Sequence, residues 1–198
     1  MSLRLEEYDP EKHDERTVAS LIYLADCEFG SLVYGSKEEG VELIVKLMRM
    51  KYNYFTPPYL HCAIYQNKVV GVLAGFYGKE KRALGRTSGK DFLKVHGLWR
   101  FLKKMPIFMR MNRLICRKIG EDDYYVQTLC VHPSCRGRGF GTQILELALE
   151  EHGKLCLDTN IKNAGAIRFY ERLGFKVYSE NIVRLKKKRI GTYSMRTE

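Results

Sequence analysis

Apolar positions along the 198-residue chain follow two rhythms, one near 3.6 residues and one of two, and the changes between them mark the elements. Residues 3–8 alternate and predict a first strand, closed by the turn signal Asp9-Pro10. Asp14 is placed to cap a helix running to about Gly30, with Val18, Leu21, Ile22, Leu24 and Ala25 as its apolar stripe. Ser36-Lys37-Glu38-Glu39 has capping-box spacing and opens a second helix carrying Val41, Ile44, Val45 and Met48. Pro57-Pro58 ends that region. Residues 59–65 and 69–77 then read as two strands joined by a turn at Gln66-Asn67-Lys68, a β-hairpin.

In residues 79–122 the pattern changes. Phe92, Val95, Leu98, Leu102 and Met105 form a helical stripe that also takes in Trp99, while Lys90, Lys94, Lys103 and Lys104 lie mostly off it. Pro106 predicts a break, with a second short helix over 107–118. A strand over 124–131 follows, then a glycine-rich turn, a helix ending at His152, a strand over 155–159 and a helix over 164–173 stopped by Gly174. Residues 175–178 and 182–185 read as closing strands. The hairpin and the closing strands require antiparallel pairing, and the strand–helix–strand unit at 124–159 requires one parallel crossover. The fold class expected is α/β, with a mixed, mostly antiparallel central sheet and helices on both faces. No internal repeat or low-complexity tract is present.

Composition narrows the class. Apolar residues make up 45% and charged residues 29%, as in ordinary globular chains. No apolar run approaches the roughly 18 residues of a membrane span, and residues 1–7 lack the apolar core of a signal peptide, so a cytoplasmic location is expected. Six cysteines, at 27, 62, 116, 130, 135 and 156, include no C-x-x-C pair and no ligand-spaced cluster with histidine. They read as reduced core thiols, with no metal site expected. The net charge of +11 is concentrated: residues 79–118 hold 13 Lys or Arg and only Glu80 and Asp91, a local excess of +11, and the rest of the chain balances.

The turn Cys135-Arg136-Gly137-Arg138-Gly139-Phe140-Gly141-Thr142-Gln143 joins a strand to a helix through three glycines and two arginines. Backbone amides at the start of a helix, flanked by arginine, suit an anion. A P-loop needs G-x-x-x-x-G-K-[ST], which is absent. A dinucleotide turn needs G-x-G-x-x-G, and Thr142 stands where its third glycine belongs, although Asp158 lies at the right distance for a ribose-binding acid. The third cradle, [QR]-x-x-G-x-[GA], is matched by Arg136-Gly137-Arg138-Gly139-Phe140-Gly141.

In this hexapeptide, and in the stretch LCVHPSCRGRGFGTQILELAL around it, the chain resembles the GCN5-related N-acetyltransferase superfamily. The stretch NAGAIRFYERLGF is similar to that superfamily's N-x-x-A-x-x-x-Y-x-x-x-G-F segment, through Asn163, Ala166, Tyr170, Gly174 and Phe175. Together the two motifs span about 124–178. The resemblance implies the acyl-CoA N-acyltransferase fold and an acetyl-CoA-dependent N-acetyltransferase that moves an acetyl group to a primary amine by direct attack. It implies that the coenzyme A pyrophosphate sits on Arg136, Gly137, Arg138, Gly139, Phe140, Gly141 and Thr142. It further implies that the pantetheine arm lies along the backbone of Leu129 and Val131, that Asn163 contacts the same arm, and that Tyr170 protonates the departing thiolate as general acid.

A neutral amine must lose a proton, and several relatives place a glutamate early on the strand for this. Tyr125 occupies that place here, which leaves Glu121 and Asp122, just upstream, as candidate bases acting through water. On this reading residues 1–198 form a single domain with a basic helical insert at about 79–122. Four roles for the insert are open: a packed lid with lysines in solvent, a wall selecting an anionic acceptor, a contact with ribosome or other nucleic acid, or a membrane-surface contact. Small-molecule and peptide acceptors are both open, as is a macromolecular acceptor such as a protein N-terminus or lysine, ribosome-associated or not. A homodimer is compatible with the sequence. The competing class is a catalytically silent CoA-binding or interaction module.

Overall fold

The computed structural model describes residues 2–25, 27–115, 118–185 and 188–198, with the side chains of 27–29, 185 and 188 left aside. Its elements follow the order β1 (Arg4–Glu7), α1 (Glu15–Ala25), α2 (Cys27–Tyr34), α3 (Lys37–Met48), β2 (Leu60–Tyr65), β3 (Lys68–Tyr77), α4 (Lys81–His96), α5 (Leu98–Met111), β4 (Tyr124–Val131), α6 (Phe140–His152), β5 (Leu155–Asn160), α7 (Ala164–Arg172), β6 (Lys176–Leu185) and β7 (Lys188–Arg196). The strands form one seven-stranded sheet in the order β1-β2-β3-β4-β5-β7-β6. The β4–β5 pair is parallel and the others are antiparallel, as the crossover at 124–159 requires. The expected mixed sheet with helices on both faces is therefore present.

Local chemistry explains the elements. Asp14 accepts the Thr17 amide at 2.8 Å and caps α1. Ser36 and Glu39 form a reciprocal capping box at the head of α3, both bonds at 3.3 Å. Gln66 and Asn67, at φ 51° and 57°, turn the β2–β3 hairpin with the left-handed pair that suits the twist of its strands.

The two faces of the sheet bury separate cores. On one, Val18, Leu21 and Ile22 of α1 and Ile44, Val45 and Leu47 of α3 pack on Leu60, Cys62, Ile64, Val72 and Ala74. On the other, Phe140, Ile144, Leu145 and Ala148 of α6 pack on Val70, Leu73, Val126, Leu155 and Leu157. Each fully buried branched or aromatic side chain contributes about 1.5–3 kcal/mol, so both layers are needed to offset the ordering of the chain.

Three expectations from sequence are corrected. The first long helix reaches Tyr34 as two segments, α1 and α2, meeting at residue 26, which lies outside the description. The break in the basic segment falls at Gly97, with φ 72°, and not at Pro106. Pro106 is the ninth residue of α5 and stays helical on the exposed side, where the carbonyl it leaves unbonded can turn to water. Finally, 175–178 and 182–185 are parts of one strand, β6. Its partner is β7, whose polar residues Thr192 and Ser194 hide a buried strand from a hydrophobic reading. Cys62, Cys130 and Cys156 are buried free thiols and Cys135 is a half-buried one. Cys27 and Cys116 fall outside the described side chains. Among the described residues, no helix is long and apolar enough to cross a membrane.

The buried His96 and the half-buried His61 and His152 lie within this frame. His152 stacks on Tyr124 with ring centroids 3.6 Å apart, and its Nδ1 meets the Tyr77 hydroxyl at 3.1 Å. His61 Nδ1 and His96 Nε2 have no partner among the described residues. Burial lowers the pKa of all three below the ordinary 6.5. The unfolded chain therefore binds more protons between the depressed native values and about pH 6.5, so stability rises with pH across that window and falls on acidification through it. Thermal melts between pH 8 and pH 5 should show the midpoint dropping below about pH 6.5. A flat profile would remove these imidazoles as the source of any acid sensitivity.

Candidate active site

The site begins where a parallel pair comes apart. β4 and β5 pair only at Tyr124↔Leu155, Tyr125↔Cys156 and Val126↔Leu157. Beyond that point β5 stays with β7, through Asp158↔Ser194, Thr159↔Tyr193 and Asn160↔Thr192. β4 stays with β3 as far as Val131. The sheet opens into a cleft between them.

A bulge governs which backbone groups of β4 face this cleft. Val126 and Thr128 pair with the consecutive residues Gly75 and Ala74, so Gln127 is the extra residue. The His132 amide donates to Val70 O of β3 at 2.8 Å. By alternation, Leu129 and Val131 then turn their peptide groups into the cleft. The Arg136 Nε accordingly donates to Val131 O at 3.3 Å, on the side away from β3.

The glycine turn closes the far end of the opening. Gly137 and Gly139 have φ of 76° and 79°, which L side chains rarely adopt. Gly139 is the N-cap of α6 and makes no side-chain cap, and the first intrahelical bond runs from the Gln143 amide to Gly139 O at 3.1 Å. The amides of Phe140, Gly141 and Thr142 thus begin the helix with no partner among the described residues, on the positive end of its dipole. Gly141 is needed for a different reason: a Cβ there would lie 3.2 Å from the Phe169 ring of α7. Arg138 rests its guanidinium over the rings of Phe140 and Tyr65, at 5.0 and 5.5 Å from their centroids. Phe140 has its side chain in the core, so only its backbone reaches the turn.

Tyr170 approaches from α7 on the α6 side of the sheet. It is half-buried, packs against Phe169 and Phe175, and joins the same apolar cluster as Leu129 and Val131. Burial pushes its phenol up to about 12, and its hydroxyl has no hydrogen-bond partner among the described residues. Asn163 is exposed and is the N-cap of α7, its Oδ1 accepting the Ala166 amide at 3.0 Å. Leu129, Val131, Phe140 and Tyr170 thus share one apolar layer, Gly141 of the turn faces Phe169 of α7, and Asn163 heads that same helix. Glu121 and Asp122 stand apart, exposed on the loop before β4.

The opposite face of the sheet carries a polar chain that the sequence reading missed. The Tyr125 hydroxyl, on a buried ring, donates to Asp158 Oδ2 at 2.9 Å. Ser194 Oγ donates to Asp158 Oδ1 at 2.5 Å, and Asn181 Nδ2 donates to Ser194 Oγ at 2.9 Å. Asp158 is half-buried and is the first residue of β5 after pairing with β4 ends. The signal was available: alternation along 155–160 puts Asp158 on the face of Cys156, whose partner is Tyr125.

A sheet split beside a helix headed by a glycine turn defines the acyl-CoA N-acyltransferase fold. Residues 112–177 match the family model of the acetyltransferase (GNAT) domain. The central segment thus resembles the GCN5-related N-acetyltransferases in sequence, and the fold around it is theirs. Over 65 residues, 30% of this chain, it is 35% identical to an uncharacterized N-acetyltransferase of Methanocaldococcus jannaschii, and the match spans 27% of that relative's length. An N-acetyltransferase from Staphylococcus aureus Mu50 superposes with a TM-score of 0.68 at 22% identity, over 98% of this chain and 100% of that one. A GNAT family acetyltransferase from Elizabethkingia anophelis, solved with acetyl-CoA bound, gives a TM-score of 0.53 at 13% identity over 99% and 97% of the two chains.

The capping bond of Asn163 has a measurable consequence. Asn163→Ala leaves the Ala166 amide uncapped and should cost about 1 kcal/mol, lowering the melting temperature by roughly 2–4 °C for a chain of this size. An unchanged melting temperature would show that the cap does not stabilise α7.

Proposed function

We propose that this protein transfers an acetyl group from acetyl-CoA to a primary amine. The observation that carries the reading is the convergence of the β4–β5 cleft, the free amides at the head of α6 and the Tyr170 hydroxyl. The pyrophosphate would be held by the amides of Gly137–Thr142 as numbered along the turn, with Arg136 and Arg138 adding charge-assisted bonds. The pantetheine arm would enter the cleft as an extra strand on Leu129 and Val131, leading the thioester toward the bulge at Gln127.

The chemistry is addition and elimination. The amine nitrogen adds to the thioester carbonyl carbon, the carbonyl electrons move onto oxygen, and their return breaks the carbon–sulfur bond. The thiolate leaves with the bonding pair and takes the proton of Tyr170. A phenol held at about 12 stays protonated at neutral pH. The same burial raises the proton affinity of a sulfur, as it does for the buried thiols Cys62 and Cys156, both also pushed up to about 12. A thiolate formed in an apolar site would be disfavoured likewise, which favours its taking the phenol's proton.

The amine would arrive from the opposite face, where Tyr125 and Asp158 meet at the fork. Asp158 is the carboxylate that takes its proton, directly or through the Tyr125 hydroxyl. It lies next to the last β4–β5 pair, whereas Glu121 and Asp122 lie five and four residues before Val126, in solvent. The second reading, a CoA-binding module without turnover, draws on the buried Tyr125 that stands where several relatives carry a glutamate.

The test is thiol release from acetyl-CoA across a panel of small amines, polyamines and peptides. Tyr170→Phe should lower turnover by about 10²-fold or more. Asp158→Asn should lower it by about 10²-fold, while Glu121→Gln and Asp122→Asn should leave it intact. The reverse pattern would return the role of base to the loop. Gly139→Val places a β-branched residue at φ 79° in the turn and should abolish acetyl-CoA binding in calorimetry. Unaltered affinity in that variant would defeat the loop assignment, and binding without thiol release from any amine would favour the silent module.

A further inference from the structure

The outer surface of α4 and α5 takes no part in this reading. α5 buries no residue fully. Its inner side, Phe101, Lys104 and Phe108, leans on α4 and α2: Phe108 meets Phe92 edge-on at 5.8 Å, and Lys104 Nζ donates to Leu32 O and Val33 O at the end of α2. At 100° per residue, Leu98, Leu102, Pro106 and Met109 fall on one outward arc with Trp99 at its border. The large side chains of that arc are strongly exposed, Leu98 at 60%, Trp99 at 78%, Leu102 at 49% and Met109 at 61%. Lys103 and Arg110 line one edge of it, also in solvent, and Arg100 lies further round the exposed side.

On α4, Arg82, Arg86, Lys90 and Lys94 recur every four residues and are all exposed, a row of cations along one side of the helix. The two acids of the segment do little to offset them. Glu80 accepts from the Tyr59 hydroxyl and the Tyr77 amide at 3.0 Å, and Asp91 accepts from Asn53 Nδ2 at 3.2 Å and stands 3.9 Å from Lys94 Nζ, so that Arg82, Arg86 and Lys90 are the cations of the row these two acids do not meet.

We propose that α5 docks on an anionic lipid bilayer, lying in the headgroup plane with its apolar arc at the acyl boundary and Lys103 and Arg110 against lipid phosphates, while the exposed cations of α4 add to the attraction at longer range. Charge complementarity and the aliphatic arc together select this occupant. An arc of leucine, methionine and proline with one tryptophan at its rim is the composition of an interfacial helix, and the cations supply the attraction to an anionic leaflet. A second copy would bring its own segment of net +11 against the first. Single-stranded nucleic acid asks for several stacking rings between phosphate-binding cations, and only Trp99 of the exposed arc offers one.

Trp99 is the one tryptophan of the chain, so its emission reports on this face directly. The full-length protein is titrated with vesicles of phosphatidylcholine alone and of phosphatidylcholine with phosphatidylglycerol. The expected result is a blue shift and co-sedimentation with the anionic vesicles only, reversed at about 0.5 M salt. Leu102→Glu should weaken that binding at least tenfold with an unaltered melting temperature, since the side chain it replaces is in solvent. Absence of a shift with anionic vesicles, or equal binding to the neutral ones, would overturn the proposal. So would a Trp99 response to single-stranded RNA that exceeds the response to vesicles, or a shift that depends on protein concentration alone, as self-association would give.

Discussion

Two parallel strands satisfy one another only while their backbones stay within hydrogen-bonding reach, and β4 and β5 stay within it for three residue pairs. The parting is enforced from both sides. β7 holds β5 through a ladder that runs on to Asn160, and β3 holds β4 to Val131. Peptide groups that a continuous sheet would use are instead turned toward a gap, where an unpaired amide or carbonyl is costly unless something else meets it. Arg136 meets one of them, the Val131 carbonyl. Much else in the structure follows from this fork. The crossover helix α6 starts at its mouth, so that the dipole of α6 and its three free amides point at the open end. The bulge at Gln127 sets which residues face inward.

The fork also divides the labour between the two faces of the sheet. The side chains of Leu129 and Val131 join the α6 and α7 layer, and Tyr170 reaches them from there. Tyr125 points the other way, toward Phe76 and Leu84, and meets Asp158 across the strands. A group threaded through the gap would present one side to a buried phenol and the other to a carboxylate. On the proposed reading, that separation would keep the proton donor and the proton acceptor on opposite faces of the sheet, where they do not neutralise each other.

Legibility in the sequence tracked how local the determinants are. The turn 136–142 is written in glycine and arginine because its φ values and its free amides need those residues, so the motif could be read directly. The capping box at Ser36 and the Gln66-Asn67 hairpin turn were readable for the same reason. β7 was not, because its interior is Thr192 and Ser194, whose burial is made tolerable by hydrogen bonds to Leu114 O and Asp158 contributed from far along the chain. The Tyr125–Asp158 pair was hidden likewise, its members standing 33 positions apart with only the parallel register joining them. Pro106 misled in the opposite sense: a proline ends a helix only where its missing hydrogen bond cannot be replaced, and on the exposed side of α5 the freed carbonyl is open to solvent.

The basic segment shows where a strong compositional signal stops being informative about place. Its charge excess is plain from the sequence, but the four roles it suggested differ in where the cations and the apolar stripe point. The folded segment separates two kinds of residue within it. Leu84, His96 and the Lys104 head group turn inward and fasten the helices to the domain, the lysine at the cost of a pKa lowered by burial. Leu98, Trp99, Leu102 and Met109 are turned to solvent, and so is the four-residue row of α4 cations. A lid that only covered a core would need the first set alone. The second set adds nothing to the packing of the domain, and large apolar side chains grouped in solvent favour any surface that covers them. Selection among such surfaces then falls to the cations beside them.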